Sequence, residues 1–336
     1  MTVNRQFTLA ARPAGYPTET DFNLVEAAVP TPAAGEVLLR TLFLSVDPYQ
    51  RMAMSGAGSG PFNLPIGQVV FGATVCEVAE SHHPAFQNGD VVLARTGWQE
   101  YAVSDGTGLR KFDPALAPVS TALGVLGGTG LTAYFGLLEI GQPKPGDTVV
   151  VSGAAGAVGC VAGQIAKIMG CRVVGIAGTD AKVDFLTHEL GFDAAFNYKT
   201  TSDYVARLRE LCPRGADIYF DNVGGAITDA VYQVLSPGAR VAVCGQISQY
   251  NAMQPEAGPR LPELVQAKEL RVERFNLGLF GDRLEAGTRQ LAEWLREGKL
   301  KSVEDVVAGF ENTPKAFIGM LKGENIGKRI VKVADR

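Results

Sequence analysis

Residues 148–166 constrain this chain more than any other stretch: Thr-Val-Val-Val-Ser-Gly-Ala-Ala-Gly-Ala-Val-Gly-Cys-Val-Ala-Gly-Gln-Ile-Ala. Residues 149–151 are a β-branched run that reads as a buried strand. Gly153, Gly156 and Gly159 follow at three-residue spacing, and Val158, Val161, Ile165 and Ile168 then recur at a helical period. Strand, glycine turn and helix in that order are what a dinucleotide site requires. The first glycine permits the tight turn, the second lets backbone N–H groups approach a pyrophosphate, and the third lets the helix lie close to the strand. An anion then sits at the helix N-terminus, where unpaired N–H groups and the positive dipole end favour it. The spacing is Gly-x-x-Gly-x-x-Gly, not Gly-x-Gly-x-x-Gly, and a glycine triplet alone can mark a flexible turn. The flanking strand and helix make it a nucleotide site, with Ala155, Ala157 and Val158 as the other turn positions.

A chain of 336 residues exceeds one ordinary core, so two domains are expected. Its 46% hydrophobic and 20% charged content is that of a globular enzyme, and a net charge of −4 gives no footprint for nucleic acid. Residues 114–138 carry no charge, but Pro118 and glycines 124, 127, 128, 130 and 136 interrupt them, so they read as buried loop and helix, with no membrane span. The first residues show no basic segment leading into an apolar core, so secretion is not expected. Cys76, Cys160, Cys171, Cys212 and Cys244 are scattered singly and odd in number, which predicts free thiols in a reducing, cytoplasmic compartment.

Residues 1–123 read as a β-rich domain, with strands at 37–44, 69–78 and 91–94 and turn chemistry at Asn88-Gly89-Asp90. Asp47-Pro48-Tyr49 lies just past a strand end, in a loop whose side chains either face a cleft or pack an aromatic into a turn. A zinc dehydrogenase needs Cys, His and Glu ligands that converge on the metal. Here the only histidines are His82, His83 and His188; the adjacent pair diverges, and Pro84 after it suits a surface loop, so no metal is expected.

Residues 124–302 alternate strand and helix as a doubly wound parallel α/β sheet does. After the opening unit come strand 172–176, helix 180–190, strand 194–197, helix 204–211, strand 217–221, helix 226–235, strand 240–244 and a last strand near 270–277. Ligands in such a sheet sit outside the carboxyl ends of the strands, at the switch in strand order. The loops there are 177–182, 197–201, 222–225, 245–251 and about 275–280, which hold the candidates Gln246, Ile247, Ser248, Phe275 and Leu277. An NAD enzyme usually carries a carboxylate about 20 residues past the glycine turn, against the ribose 2′-hydroxyl. That position is Ile176-Ala177-Gly178-Thr179, with room for a 2′-phosphate, a hydroxyl on Thr179 and Lys182 close behind; only Asp180 is near. NADPH is the cofactor this favours, although Lys182 also reads as a solvated surface lysine. Residues 284–299 form a helix, and the tail 303–336, with a helix around 314–321 and a strand 329–333, is too short for a domain and returns to the first one.

With these residues assembled, the chain resembles the zinc-independent medium-chain dehydrogenase/reductases, within them the leukotriene B4 12-hydroxydehydrogenase/prostaglandin reductase group with its alkenal double-bond reductases and bacterial curcumin-reductase-like members. The likeness spans nearly the whole chain. It rests on Val46-Asp47-Pro48-Tyr49, Gly130-Leu131-Thr132-Ala133-Tyr134-Phe135-Gly136, Ala154-Ala155-Gly156-Ala157-Val158-Gly159, Gly191-Phe192-Asp193 and Phe196-Asn197-Tyr198-Lys199. It continues through Asp221-Asn222-Val223-Gly224-Gly225, Cys244-Gly245-Gln246-Ile247-Ser248, Tyr250-Asn251 and Gly323-Glu324-Asn325-Ile326-Gly327-Lys328.

The resemblance implies a GroES-like β-barrel domain (1–123, completed by 303–336) and a Rossmann domain (124–302), with the active site in the cleft between them. It implies NADPH, with Lys182 and Tyr198 near the adenosine phosphate, Asn325 near the nicotinamide, and Asn222, Cys244 and Tyr250 along the cofactor. Tyr49 and Tyr250 would flank the substrate, and a homodimer is implied. Gly128-Thr129-Gly130 stands where many members have Met-Pro-Gly, with Thr129 a further candidate cofactor contact, and Gln50 stands where Met is frequent. The small-residue stretch 56–65 is expected to be mobile and part of the substrate entrance.

The reaction this implies is hydride transfer from NADPH to the β-carbon of an α,β-unsaturated ketone or aldehyde. Charge then builds on the carbonyl oxygen as an enolate, stabilised by Tyr250, Tyr49 or a ribose hydroxyl. The alternatives are an NADPH quinone oxidoreductase of the same fold and, from another class, a non-catalytic NADPH-binding protein. No nucleic-acid or membrane partner is expected.

Overall fold

The computed structural model describes residues 3–56, 63–252, 258 and 262–336. They form two compact units. The first comprises residues described within 1–123, 304–325 and 329–336, and the second those within 124–303 and 326–328.

In the second unit six strands lie parallel in the order Ala194–Asn197, Arg172–Ala177, Thr148–Ser152, Ala216–Asp221, Leu235–Val243 and Arg271–Arg274. Numbered along the chain this is 3-2-1-4-5-6, the doubly wound arrangement, and its switch point lies between the first and fourth strands. Val149, Val150 and Val151 are fully buried because helices cover both faces of a parallel sheet, which is why the run reads as uninterrupted valine. Helix Ala157–Ile168 packs close enough that a Cβ on Gly163 would enter the Phe192 ring.

Several boundaries differ from the sequence reading. The fifth strand begins at Leu235 and ends at Val243, and Cys244 turns away with its N–H on the Asp221 carbonyl at 2.9 Å. The sixth strand ends at Arg274 because Phe275 turns inward, with its ring 6.2 Å from that of Phe220; Asn276 then caps a 3-10 turn starting at Leu277. Helix 180–190 is an α-helix over Asp180–Asp184 that widens to π geometry over Phe185–Glu189.

The first unit is antiparallel. Strand Val37–Ser45 pairs with Thr74–Ser81, Tyr101–Ser104 and, near the chain's end, Lys328–Lys332. Val3–Leu9 and Phe22–Ala28 form a separate two-stranded ribbon that the sequence reading missed. Around fully buried Trp98 gather the rings of Phe7, Phe22 and Phe317.

Two readings in this unit are corrected. The strand expected at 69–78 starts only at Thr74, because the Phe71 carbonyl accepts from the Gln50 amide and the Gly72 carbonyl from the Gly97 N–H. Asp47-Pro48-Tyr49 is a helix start, not a loop: Asp47 is the N-cap of helix Pro48–Met54, with proline in the first turn where its missing N–H costs nothing. Val303 and residues 326–328, which the sequence reading placed in the first domain, group with the second unit; there Gly327 pairs with Gly156 and Lys328 donates to the Val303 carbonyl at 2.9 Å. Among the described residues no helix is long and apolar enough to cross a membrane.

Candidate functional site

The glycine turn follows the first strand. Gly153 has φ +58°, a left-handed conformation that favours glycine, and its carbonyl accepts from the Gly156 N–H at 2.9 Å. Gly156 caps helix Ala157–Ile168 with no side chain, and no acidic residue occupies the first turn. A serine or aspartate cap would itself satisfy the first N–H groups of the helix. Glycine leaves them to an incoming anion, so the turn fits a pyrophosphate. A Cβ on Gly159 would lie 2.8 Å from Ala154 Cα and closer still to the Gly153 carbonyl. The turn is braced from behind by Gly327, whose N–H donates to the Ala155 carbonyl at 2.8 Å. Gly327 has φ +73°, and a Cβ there would strike the Val303 carbonyl.

Gly178 follows the end of the second strand, and a Cβ there would stand 3.1 Å from Tyr198 Cε1, so the Tyr198 ring lies against that backbone. Thr179 Oγ1 accepts from the Lys182 N–H at 3.3 Å and starts the next helix. Asp180, the one carboxylate at hand, is held by the Asn197 side-chain amide at 2.8 Å. Lys182 is buried, and its positive charge acts on the Cys160 thiol.

At the fourth strand's end the Asn222 amide donates to the Ser152 carbonyl at 2.7 Å, beside Gly153. The turn 222–225 is joined to the one after the fifth strand: Ile247 N–H donates to the Asn222 carbonyl at 3.3 Å and Ser248 Oγ to the Val223 carbonyl at 2.7 Å. Gln246 is held by Arg274 at 2.9 Å, and its N–H donates to the Tyr250 hydroxyl at 3.1 Å. A Cβ on Gly245 would come within 3.0 Å of that hydroxyl, so glycine makes its room. Among the described residues no acceptor takes the Tyr250 O–H proton. Burial, above all, pushes the Tyr250 pKa up.

Gly153 through Gly159, Gly178, Thr179, Lys182, Tyr198, Asn222, Cys244, Gln246, Ile247, Ser248 and Tyr250 therefore occupy the carboxyl-end turns of the parallel sheet. Thr129 stands in the first turn of helix Gly128–Phe135, its hydroxyl donating to the Gly124 carbonyl at 3.0 Å. Phe275 is core-packed, which leaves its backbone as what it can offer a ligand, whereas Leu277 is half-buried.

Tyr49 and Asn325 belong to the first unit. The Tyr49 ring stacks on Phe71 at 5.7 Å. Gln50 clamps both: its Oε1 accepts from the Asp47 N–H at 2.7 Å and its Nε2 donates to the Phe71 carbonyl at 2.7 Å. Ser45 Oγ donates to the Asp47 carboxylate. Burial, then the Asp47 charge, raise the Tyr49 pKa well above the usual tyrosine value. Of the expected substrate entrance, residues 57–62 lie outside the described residues.

The sequence reading gave no site role to Ser152, Asp221, Gly327 or Gln50, and placed Gly245 in a candidate ligand loop without its function of making room for the Tyr250 hydroxyl. Asp221, Gly245 and Gly327 stand in motifs that carry the resemblance, which is the signal that could have found them; Ser152 stands in none. His82 pairs with Glu80 at 3.1 Å, while His83 Nδ1 accepts from the Ala85 N–H, so the two rings serve different partners. Among the described residues no group of three or more His, Cys, Asp or Glu side chains could hold a metal ion. All five cysteines are free; burial pushes Cys160 and Cys244 up to about 12 and Cys171 and Cys212 up to about 11, and raises Cys76 as well.

Strand order, glycine turn and uncapped helix define a protein of the doubly wound, dinucleotide-binding class. A family model described as the N-terminal domain of oxidoreductase matches residues 5–112, and one described as zinc-binding dehydrogenase matches residues 157–294. The chain is 46% identical over 336 residues to the NADPH-dependent curcumin reductase of Escherichia coli (strain K12), covering 98% of this chain and 97% of that one. It is 47% identical over 336 residues to prostaglandin reductase 1 of Mus musculus, covering 99% and 100%. Among solved structures, CurA in complex with NADPH from Vibrio vulnificus superposes with a TM-score of 0.94 at 45% identity, covering 99% and 100%. The chain belongs to the medium-chain dehydrogenase/reductases, in the group of the curcumin and prostaglandin reductases.

The turn geometry separates two glycines. Gly159→Ala adds a Cβ against backbone and lowers stability by about 2 kcal/mol in urea unfolding. Gly156 has φ −85° and a Cβ there would meet one carbonyl at 3.2 Å, so Gly156→Ala lowers its midpoint less than Gly159→Ala does but weakens dinucleotide binding about tenfold by calorimetry. Equal midpoint shifts in both would contradict this division of roles.

Proposed function

We propose that this protein is an NADPH-dependent reductase of the carbon–carbon double bond in α,β-unsaturated ketones and aldehydes. The observation that carries it is identity near one half, along the whole chain, to reductases named for curcumin and prostaglandin. Curcumin is itself a conjugated diketone.

NADPH, when bound, supplies the hydride. The turn Gly153–Gly159 and the helix behind it would hold its pyrophosphate. Lys182, Thr179 and Tyr198 would hold its 2′-phosphate. The Asp180 carboxylate, which could repel that phosphate, is engaged by Asn197. Asn222, Cys244, Gln246, Ile247, Ser248, Thr129, Asn325 and the backbone near Phe275 and Leu277 complete the assigned cofactor contacts.

Negative charge develops on the substrate oxygen as its β-carbon is reduced, and a fixed hydroxyl stabilises it. Tyr250 is assigned that role: its oxygen accepts from the Gln246 N–H, which orients it and strengthens it as a donor through its own proton. Tyr49 is the second hydroxyl assigned to the substrate. Both have raised pKa values, so both are neutral donors at physiological pH and neither is a general base.

The same reading makes the protein a cytoplasmic homodimer that works without zinc. Strand Arg271–Arg274 supports the dimer: it pairs on one edge with Leu235–Val243, and among the described residues nothing pairs with its other edge. An open edge with exposed Val272 suits a second copy. The five free thiols support a reducing compartment.

Turnover is tested by loss of dihydronicotinamide absorbance with a short alkenal, a phenyl enone, a curcuminoid and a quinone, using NADPH and NADH in parallel. Enone turnover with NADPH is expected; turnover of quinones alone would replace this reading with a quinone reductase. In Lys182→Ala the dissociation constant for NADPH rises roughly tenfold or more while that for NADH is unchanged; an equal loss for both would remove the phosphate role.

Because Tyr250 is assigned to the cofactor as well as to the substrate, Tyr250→Phe is expected to lose about a hundredfold in kcat with enones, a far larger loss than in NADPH affinity. Because the donor form persists below a pKa above the ordinary value near 10, Tyr250 adds no limb to the kcat profile between about pH 6 and about pH 9; activity falls only as pH rises beyond it. A limb in that window that vanishes in Tyr250→Phe would show that the tyrosine titrates there.

A further inference from the structure

Strands Thr148–Ser152 and Ala216–Asp221 pair with Ile218 opposite Val149, Tyr219 opposite Val150 and Phe220 opposite Val151. The next residues along, Ser152 and Asp221, stand at the switch point, where the two chains part toward separate turns. There, side chains continue the ladder. Ser152 Oγ donates to Asp221 Oδ1 at 3.2 Å and accepts from the Asn222 N–H at 3.0 Å, while the Asn222 amide returns to the Ser152 carbonyl.

Asp221 is 1% exposed, yet its partners among the described residues are all neutral. Besides Ser152, Oδ1 is reached by the Tyr219 hydroxyl at 2.9 Å and by the N–H groups of Val223 and Gly224 at 3.0 Å each; Oδ2 accepts from Thr228 Oγ1 at 2.8 Å. A buried carboxylate is tolerated only when donors converge on it, and these donors come from the first strand, the fourth strand, its turn and the following helix. An Asn side chain of the same shape would place an N–H₂ among donors and leave at least one unanswered.

We infer that this stitch sets the width of the dinucleotide crevice, which makes Asp221 and Ser152 positioning residues for the cofactor. The turn it fixes is the wall facing the glycine turn: a Cβ on Gly153 would lie 3.4 Å from both Asn222 Cβ and Val223 Cγ2. The Asn222 amide ties this turn to the Ser152 carbonyl next to Gly153, so the two turns cannot shift independently and loosening 222–224 displaces one side of the crevice. Gly224, at φ +74°, is held in its left-handed conformation by the same carboxylate.

The inference rests on the proposed cofactor and not on the proposed substrate. Its test is the NADPH dissociation constant of Asp221→Asn, Ser152→Ala and the double variant, read from the fluorescence of bound dihydronicotinamide without enone, alongside urea midpoints. Each single variant is expected to weaken binding about tenfold while folded, and the double variant to be no weaker than the worse single one, because both break one network. The ratio of NADPH to NADH affinity stays constant, since Lys182 is untouched. Wild-type affinity in folded Asp221→Asn, or losses that multiply in the double variant, would overturn it. Should Asp221→Asn not fold, Ser152→Ala and Thr228→Val decide: each removes one hydroxyl and keeps the carboxylate, and wild-type affinity in both overturns the inference. A chain that binds NADPH and reduces no enone loses the proposed activity but not this assignment.

Discussion

The close approach of Gly159 to the Gly153 carbonyl is the contact on which the second unit depends. A helix can start directly over the end of a buried strand only where no Cβ stands between them. Once that crossing is made, the helix N-terminus is aimed at the carboxyl edge of the sheet, its first donors exposed by a glycine cap. The remaining parallel strands can then be added on either side, and the gap opened by their divergence is the crevice. A methyl group at one position would tilt the helix and move every turn that faces it.

The polar groups around this crossing are arranged by burial. Asp180, Asp221 and Lys182 are all near the assigned nucleotide turns, and the two carboxylates are occupied by hydrogen bonds from the protein itself. With both carboxylates engaged in this way, neither presents an unanswered negative charge to the polyanion proposed to bind there. In the first unit a similar economy holds Tyr49: Gln50 bonds the backbone of Asp47 and Phe71 on either side of the Tyr49–Phe71 stack, so the phenol is oriented through its neighbour in sequence.

The parallel sheet was legible because its strands are short β-branched runs between turn residues, a pattern that survives in the linear chain. The helix at Pro48–Met54 was not, since seven residues carry little periodicity and its capping partner, Gln50, resembles any polar residue. The break at 69–73 was hidden for a related reason: the hydrophobic run continues while its carbonyls are diverted to Gln50 and Gly97. Of the site, the glycines and the missing carboxylate after the second strand could be read locally. Ser152 and Asp221 could not, because their meaning lies in a partner 69 positions away, and Gly327 likewise acts on Ala155 across most of the second unit.

The state of the cysteines has a chemical consequence for an enzyme that handles conjugated carbonyls. Such compounds are electrophiles, and the thiolate is the form of cysteine that adds to them. Burial pushes the Cys171, Cys212 and Cys160 thiols up, so each keeps its proton at neutral pH. Cys244, half-buried beside the turn that carries Tyr250, is raised in the same direction, with the neighbouring Asp221 charge adding to the effect. Cysteines held as thiols are in this way poor nucleophiles toward conjugated carbonyls, the class of molecule on which the proposed activity acts.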